Sequence, residues 1–155
     1  MGEMINFVCG KCGEEYSVFY GNGFRFYKEY EDTVLALEKG EYGSEWKELF
    51  LNNKYVAIDA ESYVYFCKKC GNWQEERGLS LYIPRNKEII SKEYNKYSAI
   101  MNSELRRNYR ILKRRIHKCS KCGKIMHKAN FEEFQNLKCP KCGGKPSIAE
   151  FGYWD

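Results

Sequence analysis

At 155 residues, with 43% hydrophobic residues and a net charge of +5, the chain suits one compact domain or two small ones. No stretch approaches the ~20 apolar residues that a membrane helix needs. The start Met1-Gly2-Glu3-Met4-Ile5-Asn6 has no basic run, no apolar signal core and no Ser or Thr at position 6, so the expectation is a cytoplasmic protein with no membrane partner.

In chain order, Phe7-Val8 leads into a first cysteine pair and Tyr16 to Tyr20 leads out, both with the composition of strands. Gly21-Asn22-Gly23 signals a turn, after which Phe24 to Tyr27 reads as another strand. From Asp32 the pattern turns helical. Val34, Leu35 and Leu37 form a short helix broken near Gly40 and Gly43, and Ser44 can cap a second helix carrying Trp46, Leu49 and Phe50. Tyr55 to Ile58 and Ser62 to Phe66 read as strands, as does Gly78 to Ile83, which ends at Pro84. Ile90, Tyr94, Tyr97, Met101, Leu105, Tyr109, Leu112 and Ile116 recur at steps of three and four, which predicts an amphipathic helix from about Asn86 to Lys113. Lys124 to Lys128 and Ser147 to Trp154 are further candidate strands. Asn130 is a candidate cap for a short turn over Phe131 to Phe134.

Charge is unevenly spread along the chain. Residues 1–84 carry 9 Lys/Arg against 14 Asp/Glu, whereas residues 85–118 carry 11 against 3. Arg106, Arg107, Arg110, Lys113, Arg114 and Arg115 would crowd the polar face of the predicted helix. Such a cluster can neutralise phosphates. It can equally be a solvated helix face, or lie against the acidic N-terminal region of its own chain.

The most specific feature is the cysteines. All eight fall in Cys-x-x-Cys-Gly knuckles: Cys9/Cys12, Cys67/Cys70, Cys119/Cys122 and Cys139/Cys142. Two intervening residues let a tight turn present both sulfurs to one ion, and the following Gly adopts the positive φ that ends the turn. Two facing knuckles make the tetrahedral four-thiolate shell that zinc favours. A disulfide framework is the weaker reading, since every cysteine sits in a metal-type pair. A lysine precedes the second cysteine of each knuckle and would offset the −2 charge of zinc with four thiolates.

The 16 residues between Cys122 and Cys139 fall in the window of a zinc ribbon, which assigns Cys119, Cys122, Cys139 and Cys142 to one ion. Cys9, Cys12, Cys67 and Cys70 then share the other by elimination, across a long loop whose closure entropy grows only logarithmically. A cross-braced alternative joins the first knuckle to the third and the second to the fourth.

These knuckles resemble those of zinc ribbons and rubredoxin-like proteins, and Cys139-Pro-Lys-Cys142-Gly143-Gly144 looks like a ribbon's second knuckle. The whole chain resembles small bacterial double-zinc-ribbon proteins. The resemblance implies metal and fold, and no substrate. It supports a strand feeding the third knuckle.

The expected architecture is therefore α+β: an elaborated ribbon over 1–84, a basic helical connector over 85–118, and a C-terminal ribbon over 119–155. Two Zn²⁺ ions would act structurally, with iron as a less favoured occupant. His117 and His127 flank the third knuckle but are surplus to two complete shells. The aromatic residues suit core packing better than base stacking. Four-thiolate sites are closed, and no phosphate loop, nucleophile elbow or His-Glu-x-x-His appears, so the expectation is a non-enzymatic interaction or adaptor protein. A nucleic-acid-binding protein using residues 86–116 is the alternative, and thiol redox or iron electron transfer follows behind.

Overall fold

A computed structural model describes residues 2–90 and 95–154. The chain divides into two compact units, neither of them continuous in sequence. One comprises Met1–Phe24, Ser62–Arg77 and Ile116–Asp155, and the other Arg25–Glu61 and Gly78–Arg115. The serial division into 1–84, 85–118 and 119–155 is thus replaced by an interleaved one. We call the two the cysteine unit and the helical unit.

The cysteine unit is built from two three-stranded antiparallel sheets. In the first, β1 (Gly2–Cys9) lies between β2 (Glu15–Tyr20) and β9 (Pro146–Trp154), so the two ends of the unit pair with each other. In the second, β4 (Ser62–Phe66) lies between β5 (Trp73–Arg77) and the short β8 (His127–Lys128). Mutual hydrogen bonds between Gly21 and Ser62 join the end of β2 to the start of β4. Alternation sends Ile5, Phe7, Tyr16 and Val18 inward from the first sheet, where they meet Val64 of β4 and Leu137 in one core. Phe7 and Tyr16, paired across β1 and β2, stack at 5.2 Å between centroids. Sequence pattern alone does not reveal β5, because Trp-Gln-Glu-Glu-Arg lacks strand composition. It forms because the knuckle before it turns the chain back along β4.

The helical unit buries a conventional apolar core. Helix α1 (Phe26–Lys39) turns Phe26, Tyr30, Val34 and Leu37 to one face at steps of four, four and three. This corrects the reading of Phe24 to Tyr27 as a strand: Phe26 and Tyr30 are the first two residues of the helical stripe. Gly40 ends the helix at φ 81°, with Gly40 N–H bonding Leu37 O and Glu41 N–H bonding Ala36 O. Helix α2 (Ser44–Asn52) adds Trp46 and Phe50. Its N-cap is Gly43, and Ser44 makes no capping bond. A third sheet, with β6 (Leu81–Pro84) between β3 (Ala57–Ile58) and β7 (Tyr109–Lys113), closes the core with Ile58 and Leu81. Each large apolar side chain buried in this way contributes about 1.5–3 kcal/mol.

The long helix over 86–113 does not form. Residues 87–89 make one 3₁₀ turn, and α3 is only Asn102–Asn108. From Tyr109 the chain is extended and pairs with β6, Tyr109 facing Pro84 and Ile111 facing Tyr82. The three-and-four periodicity spans turn residues, one short helix and a strand, and of its described positions only Leu105 and Tyr109 are buried. Tyr94, one of the eight periodic positions, lies outside the described residues.

Candidate metal centres

All four knuckles are copies of one turn. In each, the first cysteine's N–H bonds the carbonyl five residues on, at 2.8 Å: Cys9 to Glu14, Cys67 to Asn72, Cys119 to Lys124 and Cys139 to Gly144. The knuckle glycine then donates back to that cysteine's carbonyl at 2.8–3.0 Å. Gly13, Gly71, Gly123 and Gly143 have φ of 72–73°. A Cβ at Gly13, Gly123 or Gly143 would meet nothing within 4 Å. Backbone conformation, not space, therefore requires glycine there.

The knuckles meet in two tetrads, Cys9/Cys12/Cys139/Cys142 and Cys67/Cys70/Cys119/Cys122, and within each the four sulfurs all lie within 4.8 Å of one another. Closest approaches between knuckles are 3.4 Å for Cys9–Cys142, 3.8 Å for Cys12–Cys139, 3.5 Å for Cys67–Cys122 and 3.6 Å for Cys70–Cys119. Four thiolates about ~2.3 Å from a tetrahedral ion would stand ~3.8 Å apart, so the donor set and its spacing fit such an ion. Both tetrads are positioned to bind metal.

This pairing overturns the one expected from spacing. First joins fourth and second joins third, so neither the adjacent nor the cross-braced arrangement holds. The 16-residue segment from Gly123 to Lys138 does not fold back as a hairpin. It pairs β8 with β4, forms α4 (Phe131–Gln135) and buries Leu137 in the core between the sheets. The fourth knuckle is thereby delivered next to β1, and β9 holds it there. Asn130 does cap α4, in a capping box with Glu133.

The surroundings divide each tetrad: although the backbone N–H groups of Glu14 and Lys124 lower them, the neighbouring sulfurs and burial push Cys12 up to about 12 and Cys122 up to about 11, while other cysteines are drawn down. Cys9 is brought down to about 6, chiefly by the backbone N–H of Cys12, with the N–H of Lys11 also directed at its sulfur. Burial works against Cys119, yet the backbone N–H groups of Cys122 and Lys121 and the Asn72 amide bring it to about 6 as well. Cys67 is lowered too, first by the N–H of Cys70. Each tetrad therefore holds at least one cysteine already disposed to ionise.

Several contributors escaped the motif. Gly144 has no room for a side chain, since a Cβ would lie 2.8 Å from Lys11 Cβ and 2.9 Å from Cys9 Sγ. The knuckle lysine Lys141 reaches across to Glu14 at 2.9 Å, tying the two knuckles of the first tetrad together. Trp73 Nε1 donates to Lys138 O at 2.8 Å, and a cleft of about 290 Å³ lined by Trp73, Lys121 and Lys138 has Cys70 of one tetrad and Cys139 of the other in its walls.

Neither histidine enters a tetrad. His117 is buried, stacked on Tyr65 at 3.8 Å and bonded through Nδ1 to Glu76 at 2.5 Å. His127 bonds Glu133 at 2.7 Å.

The basic candidates all fall in the helical unit, but not on one face. Lys113 pairs with Glu45 at 2.8 Å. Arg115 donates to Tyr42 O at 2.9 Å and lies over the Trp46 ring at 5.1 Å. Arg106, Arg107, Arg110 and Arg114 are exposed, the first two in the last turn of α3 and Arg110 on β7. Two of the six thus dock within their own unit, Lys113 on a carboxylate and Arg115 on a carbonyl and a ring.

Compared with known protein families, curated proteins and solved structures, the chain gives no match. No helix among the described residues is long and apolar enough to cross a membrane.

Proposed function

We propose that the protein is a zinc-stapled, non-enzymatic interaction module whose two four-thiolate centres are structural. The observation that carries this reading is the completeness of the tetrads. Four cysteines surround each position, leaving no open site for a substrate or activated water. A tetrahedral four-thiolate shell accepts zinc or iron, and zinc, which has no redox chemistry, is the occupant that a purely structural role calls for. The first knuckle turns β1 into β2 and the second turns β4 into β5, so an ion in each tetrad would hold the register of its sheet. The function then rests on the surfaces these sheets present to a protein partner.

Purified protein should contain two zinc ions per chain and show no visible thiolate–iron absorption. Tagged protein recovered from its own cells at high salt should retain a partner that the Cys139→Ser variant loses. Thiol–disulfide turnover by the metal-loaded protein, or iron in place of zinc, would contradict the reading.

A further inference from the structure

The helical unit contains a groove that the metal centres do not explain. It has a volume of about 650 Å³ and is lined by Asn52, Asn53, Lys54, Tyr55, Ile83, Pro84, Arg85, Lys87 and Arg110. Three separate pieces of chain contribute its cations. Lys54 comes from the loop after α2, Arg85 and Lys87 from the segment after β6, and Arg110 from β7. Their convergence is fixed by the backbone. Arg110 stands opposite Ile83 in the β6–β7 register, and Arg85 N–H bonds Asn108 O at 2.9 Å.

Among the described residues no carboxylate lines this groove, although the unit is rich in Asp and Glu. Among the described residues none of the four cations forms an ion pair, unlike Lys28 and Lys113 of the same unit, which do. All four are exposed. A charged face that merely keeps a domain in solution intersperses both signs, whereas four uncompensated cations around one concavity concentrate positive potential there. The remaining wall is part aromatic and apolar, with Tyr55, Ile83 and Pro84 half-buried. Lys54 Nζ lies 5.2 Å from the centre of the Tyr55 ring. Asn53 is occupied in donating to Leu49 O at 2.8 Å, while Asn52 is exposed.

We infer that this groove binds successive phosphates of a nucleotide ligand, a single-stranded nucleic acid being the occupant that best matches its charge and its lining. Four cations from three chain segments suit several phosphates rather than one, and the volume exceeds what a lone phosphate would fill. Exposure of all four cations suits a strand that passes along the groove, and the mixed aromatic and apolar wall suits the faces of its bases. The site differs from the basic stretch over 106–115: it shares only Arg110 with it and recruits Lys54, Arg85 and Lys87.

The test is fluorescence anisotropy of the intact, zinc-loaded protein with a labelled single-stranded oligonucleotide of about 12 residues across a salt series. Wild-type affinity should fall with salt at a log–log slope near −0.7 per phosphate contacted, about −2 to −3 in all. The triple variant Arg85→Gln, Lys87→Gln, Arg110→Gln should bind at least about tenfold more weakly. Its helical signal and zinc content should be unchanged, because the three residues are exposed. A control, Arg106→Gln, Arg107→Gln, Arg114→Gln, removes the same charge outside the groove and should bind nearly as wild type. A nucleoside triphosphate that competes as well as the oligonucleotide would uphold the site for successive phosphates and identify its source as free nucleotide, whereas equal competition by a nucleoside monophosphate would overturn it. Absence of binding at low salt, or equal losses in both triple variants, would overturn the inference.

Discussion

The two units reach stability by different routes. The helical unit carries Phe26, Tyr30, Val34, Leu37, Trp46, Phe50, Val56, Ile58 and Leu81 in one buried cluster with no cysteine. In the cysteine unit the buried residues fall in two separate clusters, and cysteines are themselves part of both. A core divided in this way would gain from a staple, and metal held at the two tetrads would supply folding free energy. The comparison teaches that one chain of ordinary length can combine a scaffold with an apolar core and one built around two four-cysteine clusters, interleaved along the sequence rather than in series.

Chelation is the sharpest way to break the comparison. Structural zinc contributes about 10–16 kcal/mol per site at neutral pH, so its removal should unfold the cysteine unit while α1 and α2 keep their hydrogen-exchange protection. Loss of protection in both units together would show that they do not fold separately. The converse change is Phe50→Ala, which should cost the helical unit about 3–5 kcal/mol. Denaturant melts should record the loss, with two zinc ions still bound.

Smaller effects should be confined to one tetrad. Gly144→Ala drives a methyl group against Lys11 and the Cys9 sulfur, an overpacking of about 1–3 kcal/mol. In competition with a chelating dye, the first tetrad should weaken and the second should not. The depressed thiols of Cys9 and Cys119, both about 6, set a pH dependence. Their folded values lie below that of an unfolded thiol, so the stability they give the metal-free protein is present above the unfolded value and is lost as pH falls through about 6. For the same reason zinc binding near pH ~7.5 should release fewer than four protons per ion, measurable by calorimetry in buffers of different ionisation enthalpy. Least of all, Lys141→Gln breaks a pair with Glu14 that is well exposed on both sides, and denaturant melts should show stability almost unchanged.

What could be read from the sequence follows the range of the interactions involved. The knuckles were legible in full because each is closed by hydrogen bonds within six residues and marked by Cys, Cys and Gly. Helix α2 and the capped α4 were legible for similar local reasons. The partnering of knuckles was not, because it depends on β9 crossing to β1 and on Leu137 being buried between sheets, contacts that no spacing rule encodes. The long basic helix failed because Tyr109 to Lys113 is held extended by β6, where strand pairing overrides a helical period. The start of α1 was misread because Phe-Arg-Phe-Tyr alternates like a strand until Tyr30 and Val34 are seen on the same face. The groove joins three distant segments, so only the folded unit brings its cations together.

Nested pairing of the knuckles is tested most directly by removing one of them. In the zinc-loaded double variant Cys139→Ser, Cys142→Ser, alkylation under native conditions followed by peptide mass mapping reports which thiols have lost their metal. Nested pairing predicts that Cys9 and Cys12 become labelled while Cys67, Cys70, Cys119 and Cys122 stay protected around one retained zinc. Labelling of Cys119 and Cys122 with Cys9 and Cys12 protected would contradict it and restore pairing by sequence neighbourhood.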